Sequence, residues 1–208
     1  MLHAPKIRQK AFFSIYLKKF NLIKVLFALF VLGMIYGAAL IGLNQDEALA
    51  QLGGVMQRFI SKRAEQSVII TLISSFSSSM VLITILFLVG FFSIGQPIAL
   101  FIPAFQGLGV GLSTAYLYSS RGVGGVLFCL LLILPSAFIS TFALILGSRE
   151  SIRFSSKNLK TLFPQKFNQN MKGELGLYLK RFAALTFFQA ISAIVDAVCT
   201  FLFARFLL

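Results

Sequence analysis

One carboxyl group stands inside an apolar stretch: Asp196, near the middle of the run Phe182 to Phe206. An ionisable residue at such a depth is expensive in hydrocarbon unless it pairs or takes up a proton, which makes it a functional candidate by default. Two readings are open. Asp196 either binds something, or ties together helices of its own bundle, for which the serines of Val68 to Phe92 are suitable chemistry. Gln189, two turns earlier on the same helical face, would extend the polar strip. Ser74, Ser75, Ser77, Ser78 and Ser79 are dense for a lipid-facing segment. A serine hydroxyl can return to its own helix or bond across to a neighbour, and a helix-packing face is preferred here over a polar lumen.

Enzyme chemistry finds little to use. The single histidine is His3, so an intramembrane Ser-His protease lacks its base, and no H-E-x-x-H zinc motif is present. No second aspartate accompanies Asp196 within an apolar run, and the glycines of Gly107-Leu108-Gly109-Val110-Gly111 lie inside such a run rather than after a strand. The expectation is a protein without catalytic residues, cofactor or metal. Cys129 and Cys199 both fall in apolar runs and read as small buried hydrophobes rather than a disulfide.

The elements that must position Asp196 follow from hydropathy. The chain has 208 residues, 58% of them hydrophobic, and a mean hydropathy of +0.89, more apolar surface than one soluble core of this size buries. Five runs reach the roughly 20 residues needed to cross a bilayer: 22–43, 68–92, 98–118, 123–147 and 182–206. The fold class expected is all-α, a polytopic membrane bundle of five helices forming one domain over 22–208. The first run is long for the core of a cleavable leader and is read as a span. The net charge of +13 belongs to the segments between spans, which points to lipid headgroups and topology rather than nucleic acid.

The sharpest local signal is Phe91 to Tyr118. Gly95-Gln96-Pro97 stops one helix and starts the next, because proline disfavours helix at the residue before it and suits a first helical turn. Gly107, Gly109 and Gly111 then strip side chains from part of the third span, letting a neighbouring backbone approach. Ser119 to Gly122 must be a tight turn, and Pro135 predicts a kink in the fourth span. The breaks at Gly95 to Pro97 and Pro103 to Gly111 also resemble places where half-helix ends line a transport path. Against that, no inverted repeat is evident and one carboxyl without an intramembrane base makes a poor ion relay.

Flanking charge completes the layout. Residues 1–21 carry Lys6, Arg8, Lys10, Lys18 and Lys19 interleaved with apolar residues at helical spacing, as in a basic helix lying on an anionic leaflet, or an ordinary positive flank. The outer segment 44–67 places Asp46 and Glu47 early and Arg58, Lys62 and Arg63 late around an apolar stripe, and predicts a short amphipathic helix. Residues 148–181 form the one long polar connection. Counting Lys and Arg puts six through Lys24 and eight in 148–181 on one side, against five on the other. The excess places the N-terminus and the 148–181 loop in the cytoplasm and the C-terminus outside.

This arrangement resembles the stage II sporulation protein M family of five-span bacterial membrane proteins. The likeness rests on Gly33 and Gly37 within Phe30 to Leu40, on Gly95, Pro97, Phe105, Gly107 and Gly111, on Ile133-Leu134-Pro135, and on Asp196, where the family usually carries glutamate. Gln106 stands where lysine is common, and Ser136-Ala137 replaces a frequent Gln-Asn. The resemblance implies a non-catalytic scaffold in the bacterial cell membrane. In the family's best-known role it joins peptidoglycan-degrading stage II sporulation proteins D and P during engulfment of the forespore. Expected partners are the lipid bilayer, membrane-anchored peptidoglycan hydrolases or other membrane proteins, and further copies of the chain; the alternative is a subunit of a transporter or channel. Asp196, Gln189 and the glycine face of the third span are the expected contacts.

Overall fold

The computed structural model describes residues 22–43, 54, 58, 67–92, 95–161 and 171–207. The basic segment with Lys6, Arg8, Lys10, Lys18 and Lys19 lies outside the described residues, as does the amphipathic helix expected over 44–67, apart from Gly54, Arg58 and Ser67. The elements are α1 (Leu22–Leu43), α2 (Val68–Phe91), α3 (Gln96–Arg121), α4 (Val123–Phe128), a π-helical turn (Cys129–Ile133), α5 (Leu134–Thr161) and α6 (Met171–Leu207). With α4, the π turn and α5 running as one, five helices are long and apolar enough to cross a membrane, and the described residues contain no strand. The protein is an all-α integral membrane bundle.

The α2–α3 hairpin forms where Gly95 and Pro97 are. Pro97 occupies the first turn of α3, where its missing N–H is no loss. Gly95 has an ordinary right-handed φ of -69° and is needed for space: a Cβ there would strike the backbone carbonyl of Val89. At the other end of α3, Gly122 turns the chain into α4 with φ of 58°, a conformation suited to glycine.

α3 runs unbroken through the buried Pro103, so it supplies no half-helix end, contrary to the irregularity expected between Pro103 and Gly111. Proline acts instead in the fourth span. Just before Pro135, the chain widens into the π turn, and Leu134 N–H bonds the Cys129 carbonyl five residues back. Pro135 has no N–H and its ring crowds the preceding turn; the wider turn relieves both problems.

α1 packs along α3, α3 also meets α5, and α5 and α6 pack on each other and on α2. The main apolar core lies toward the α2–α3 hairpin, where Leu26, Leu86, Ala99, Ala143 and Leu144 are fully buried. A smaller cluster of Leu117, Phe128, Cys129 and Leu132 closes the opposite end.

The largest departure from expectation is the 148–181 connection. α5 continues to Thr161 and α6 begins at Met171, so most of that stretch is helix. Charge and burial separate by face: Ser148, Ser151, Ile152, Phe154 and Ser155 are buried, whereas Arg153 and Lys157 are exposed. Glu150 pairs with Arg149, Arg153 and Arg181, and Lys157 pairs with Glu174, bracing α5 against α6. Beneath them Tyr178 stacks on Phe154 with centroids 4.2 Å apart and donates to the Phe87 carbonyl at 2.9 Å. Ser155 donates to the Phe92 carbonyl at 2.7 Å, satisfying an acceptor at the end of α2.

Candidate functional site

Four glycines determine how closely α1 and α3 approach. A Cβ on Gly33 or Gly37 would collide with the carbonyls of Ala104 or Leu108, and a Cβ on Gly107 or Gly111 with those of Phe30 or Met34. Each helix thus offers two glycines four residues apart to the other's backbone, the small-xxx-small arrangement of close membrane helix pairs. Gly109 does not belong to this seam. A Cβ there would meet nothing within 4 Å, because two residues along a helix turn about 200°, away from Gly107 and Gly111. The glycine face expected to receive a partner is therefore filled by α1 at Gly107 and Gly111.

Gly109 instead lines a cavity of about 410 Å³ between α2, α3, α5 and α6. From α2 come Thr71, Ser74, Ser75, Ser78 and Ser79, so four of the five serines wall a polar cavity while Ser75 also bonds across to α6 as a packing face would. α3 adds Gln106 and Ser113, α5 adds Ser136 and Ser140, and α6 adds Ser192 and Asp196. The helical repeat explains the α2 contribution: 71, 74, 75, 78 and 79 follow the i, i+3, i+4 spacing of one face.

Asp196, only 3% exposed, is held by hydroxyls from two other helices. Ser75 on α2 donates to Oδ2. Ser136 on α5 shares its proton between Asp196 Oδ1 at 3.1 Å and the Ile133 carbonyl at 3.2 Å. Ser192, one turn before Asp196, donates to the Ser136 carbonyl at 2.8 Å. Hydroxyl donors of this kind satisfy the oxygens of a buried carboxyl group in a low-dielectric interior, where a hydrogen bond is worth more than in water. The aspartate therefore ties three spans together and also lies in a cavity wall.

Gln189 is fully buried, is absent from the cavity wall, and its amide has no hydrogen-bond partner among the described residues. The structure does not join it to Asp196 in one strip. Pro135 lies directly before Ser136 and, with the π turn, sets the rotation that aims Ser136 at Asp196. Cys129 and Cys199 are free thiols; Cys129 lies 3.3 Å from Thr114 Oγ1. Among the described residues no cluster of His, Cys, Asp and Glu is arranged to hold a metal.

Sequence reasoning missed Ser136, Ser192, Gln106, Ser113 and Thr71. Ser192 stands four residues, one helical turn, before Asp196, which is the signal that would have found it.

In comparisons with known proteins, the family model for Stage II sporulation protein M matches residues 26–201, which holds every element of the cavity. No curated protein and no solved structure matches the chain.

Proposed function

From the premise that this chain belongs to the stage II sporulation protein M family, we propose that it is a non-catalytic membrane scaffold that anchors peptidoglycan-remodelling hydrolases through their membrane helices. The observation that carries the reading is the hydroxyl-walled cavity around Asp196, a polar feature within the bundle that closes three helices together yet retains room for a further group. A single carboxyl with hydroxyl donors and no base among the described residues of the wall offers binding and orientation rather than proton transfer. The excess of Lys and Arg before α1 and between α5 and α6 supports an orientation with the N-terminus and the α5–α6 connection cytoplasmic and the C-terminus outside, on the side of the wall.

The test is the position of fluorescently tagged, membrane-anchored cell-wall hydrolases in cells with and without this protein. Dispersal of a hydrolase on loss of the protein is the expected result; unchanged localisation of every such hydrolase contradicts the scaffold reading. The same cavity favours a second reading, a subunit of a transporter, because a polar space of 300 Å³ or more is also the usual size of a small-molecule site (roughly 300–1,000 Å³). Solute flux through vesicles containing the purified protein, alone or with a permease, separates the two.

A further inference from the structure

The cavity around Asp196 opens sideways. Ser74 and Ser78 on α2 and Gly109 on α3 line it and are exposed. Ser74 and Ser78 lie seven and eleven residues beyond Ser67, about 10–16 Å into the bilayer at 1.5 Å per residue. Around this mouth the surface is apolar: Ile70, Ile73 and Val81 on α2 are 52%, 57% and 57% exposed, and Phe101 and Phe105 on α3 are 73% and 67% exposed. Along α3 the exposed line Phe101, Phe105, Gly109 recurs every fourth residue, so two large rings give way to a gap where the cavity begins.

Several hydroxyls of the wall already spend their protons. Ser75 and Ser136 give their protons to Asp196, Ser113 gives its own to the Gly109 carbonyl at 2.8 Å, and Ser192 to the Ser136 carbonyl. Each of these hydroxyl oxygens keeps lone pairs. Asp196 is the only ionisable residue among the described residues of the wall. Thr71, 3% exposed and in the same wall, has no hydrogen-bond partner for its hydroxyl among the described residues. An anion would meet Asp196 and no basic side chain among the described wall residues; an apolar group would strand the hydroxyls. A cationic donor matches both charge and hydrogen bonding.

We infer that the α2–α3 cleft docks a partner's membrane helix that carries a lysine or arginine near mid-span, its cationic end entering the cavity toward Asp196. This deepens the scaffold reading and rests on it. A side mouth in hydrocarbon favours a cation delivered on an apolar stem, as a long basic side chain from a neighbouring helix is. The cavity of about 410 Å³ is far too small for a helix but holds one such side chain with water, whose share of liquid volume is about 30 Å³. A second copy does not supply the cation: within the five apolar runs its only bases are Lys24 and Arg205, each near the end of its run, and Arg149, Arg153, Lys157, Lys180 and Arg181 lie beyond the runs.

The test uses the full-length protein in phosphatidylcholine vesicles with synthetic single-span polyleucine peptides bearing Lys, Gln or Leu at the centre. Binding is read by fluorescence transfer to a fluorophore fused to the protein. The Lys peptide is expected to bind at least about tenfold more tightly than the Leu peptide, a factor of roughly 1.4 kcal/mol. Asp196→Asn should remove the preference. Ser78→Phe, which fills the mouth at an exposed position without touching the carboxylate, should remove it too and keeps the test decisive if Asp196→Asn fails to fold. Equal binding of the three peptides overturns the inference, as does a Lys preference that survives in either folded variant. Displacement of the Lys peptide by methylammonium at equal concentration overturns it in favour of a free-amine site, and self-association that excludes every peptide overturns it in favour of a copy–copy surface. Failure here alongside hydrolases that still disperse without the protein rejects the cleft and leaves the scaffold; unchanged hydrolase localisation rejects the scaffold itself.

Discussion

Gly107→Ala and Gly109→Ala differ by two positions on one helix, yet they should act in opposite directions. At Gly107 the new methyl would run into the backbone carbonyl of Phe30, which cannot rotate aside as a side chain would. α1 and α3 must then separate along a seam held by Gly33, Gly37, Gly107 and Gly111. A gap of 0.5–1 Å forfeits about a quarter to a half of the dispersion well for the atoms across it. Overpacking of a tight site usually costs about 1–3 kcal/mol, and a backbone obstacle places Gly107 near the upper end. At Gly109 the methyl meets nothing within 4 Å, so only the helix-propensity gain of up to about 1 kcal/mol remains. That gain is common to both variants, so their difference isolates the packing loss, about 3 kcal/mol. At roughly 2–4 °C per kcal/mol, Tm should be about 6–12 °C lower for Gly107→Ala than for Gly109→Ala. Thermal unfolding of the two purified proteins in one detergent measures it. Equal Tm values, or a lower one for Gly109→Ala, would refute the seam.

Ser75→Ala removes a donor to Asp196 and should destabilise by about 1.5–3 kcal/mol, with a non-additive double-mutant cycle against Asp196→Asn; additivity would show that the two do not interact. Tyr178→Phe keeps the stack on Phe154 but loses the bond to the Phe87 carbonyl, for a loss of about 1 kcal/mol in SDS-titrated unfolding. Glu150→Gln, beside Arg149, Arg153 and Arg181, should cost up to about 1 kcal/mol at low salt and little at about 1 M salt, so a salt-independent loss would contradict a charge-based brace.

The five spans and the hairpin at Gly95 to Pro97 were legible because each rests on a local rule: hydropathy over bilayer length, and the backbone limits of proline and the space left by glycine. Hydropathy reports contact with lipid, not where a helix ends. Hence α5 runs on to Thr161 after Gly147, burying Ser148, Ser151 and Ser155 against the bundle while Arg153 and Lys157 face outward. The i, i+4 spacing of Gly107 and Gly111 already separated them from Gly109, but grouping the three as one face hid it. The serines of α2 were visible as a cluster, whereas the cavity they wall depends on Gln106, Ser113, Ser136 and Ser192 arriving from three other helices, a long-range arrangement no local pattern encodes. Asp196 stood out by charge alone; its partners Ser75 and Ser136 lie 121 and 60 residues away in sequence.

The scaffold claim is tested most directly by cross-linking the protein mildly in its own membranes, purifying it, and identifying by mass spectrometry what accompanies wild type and Ser78→Phe. Membrane-anchored cell-wall hydrolases recovered with wild type and depleted with the variant are the predicted result. An ATPase or permease in their place, or copies of the protein alone, would contradict the claim.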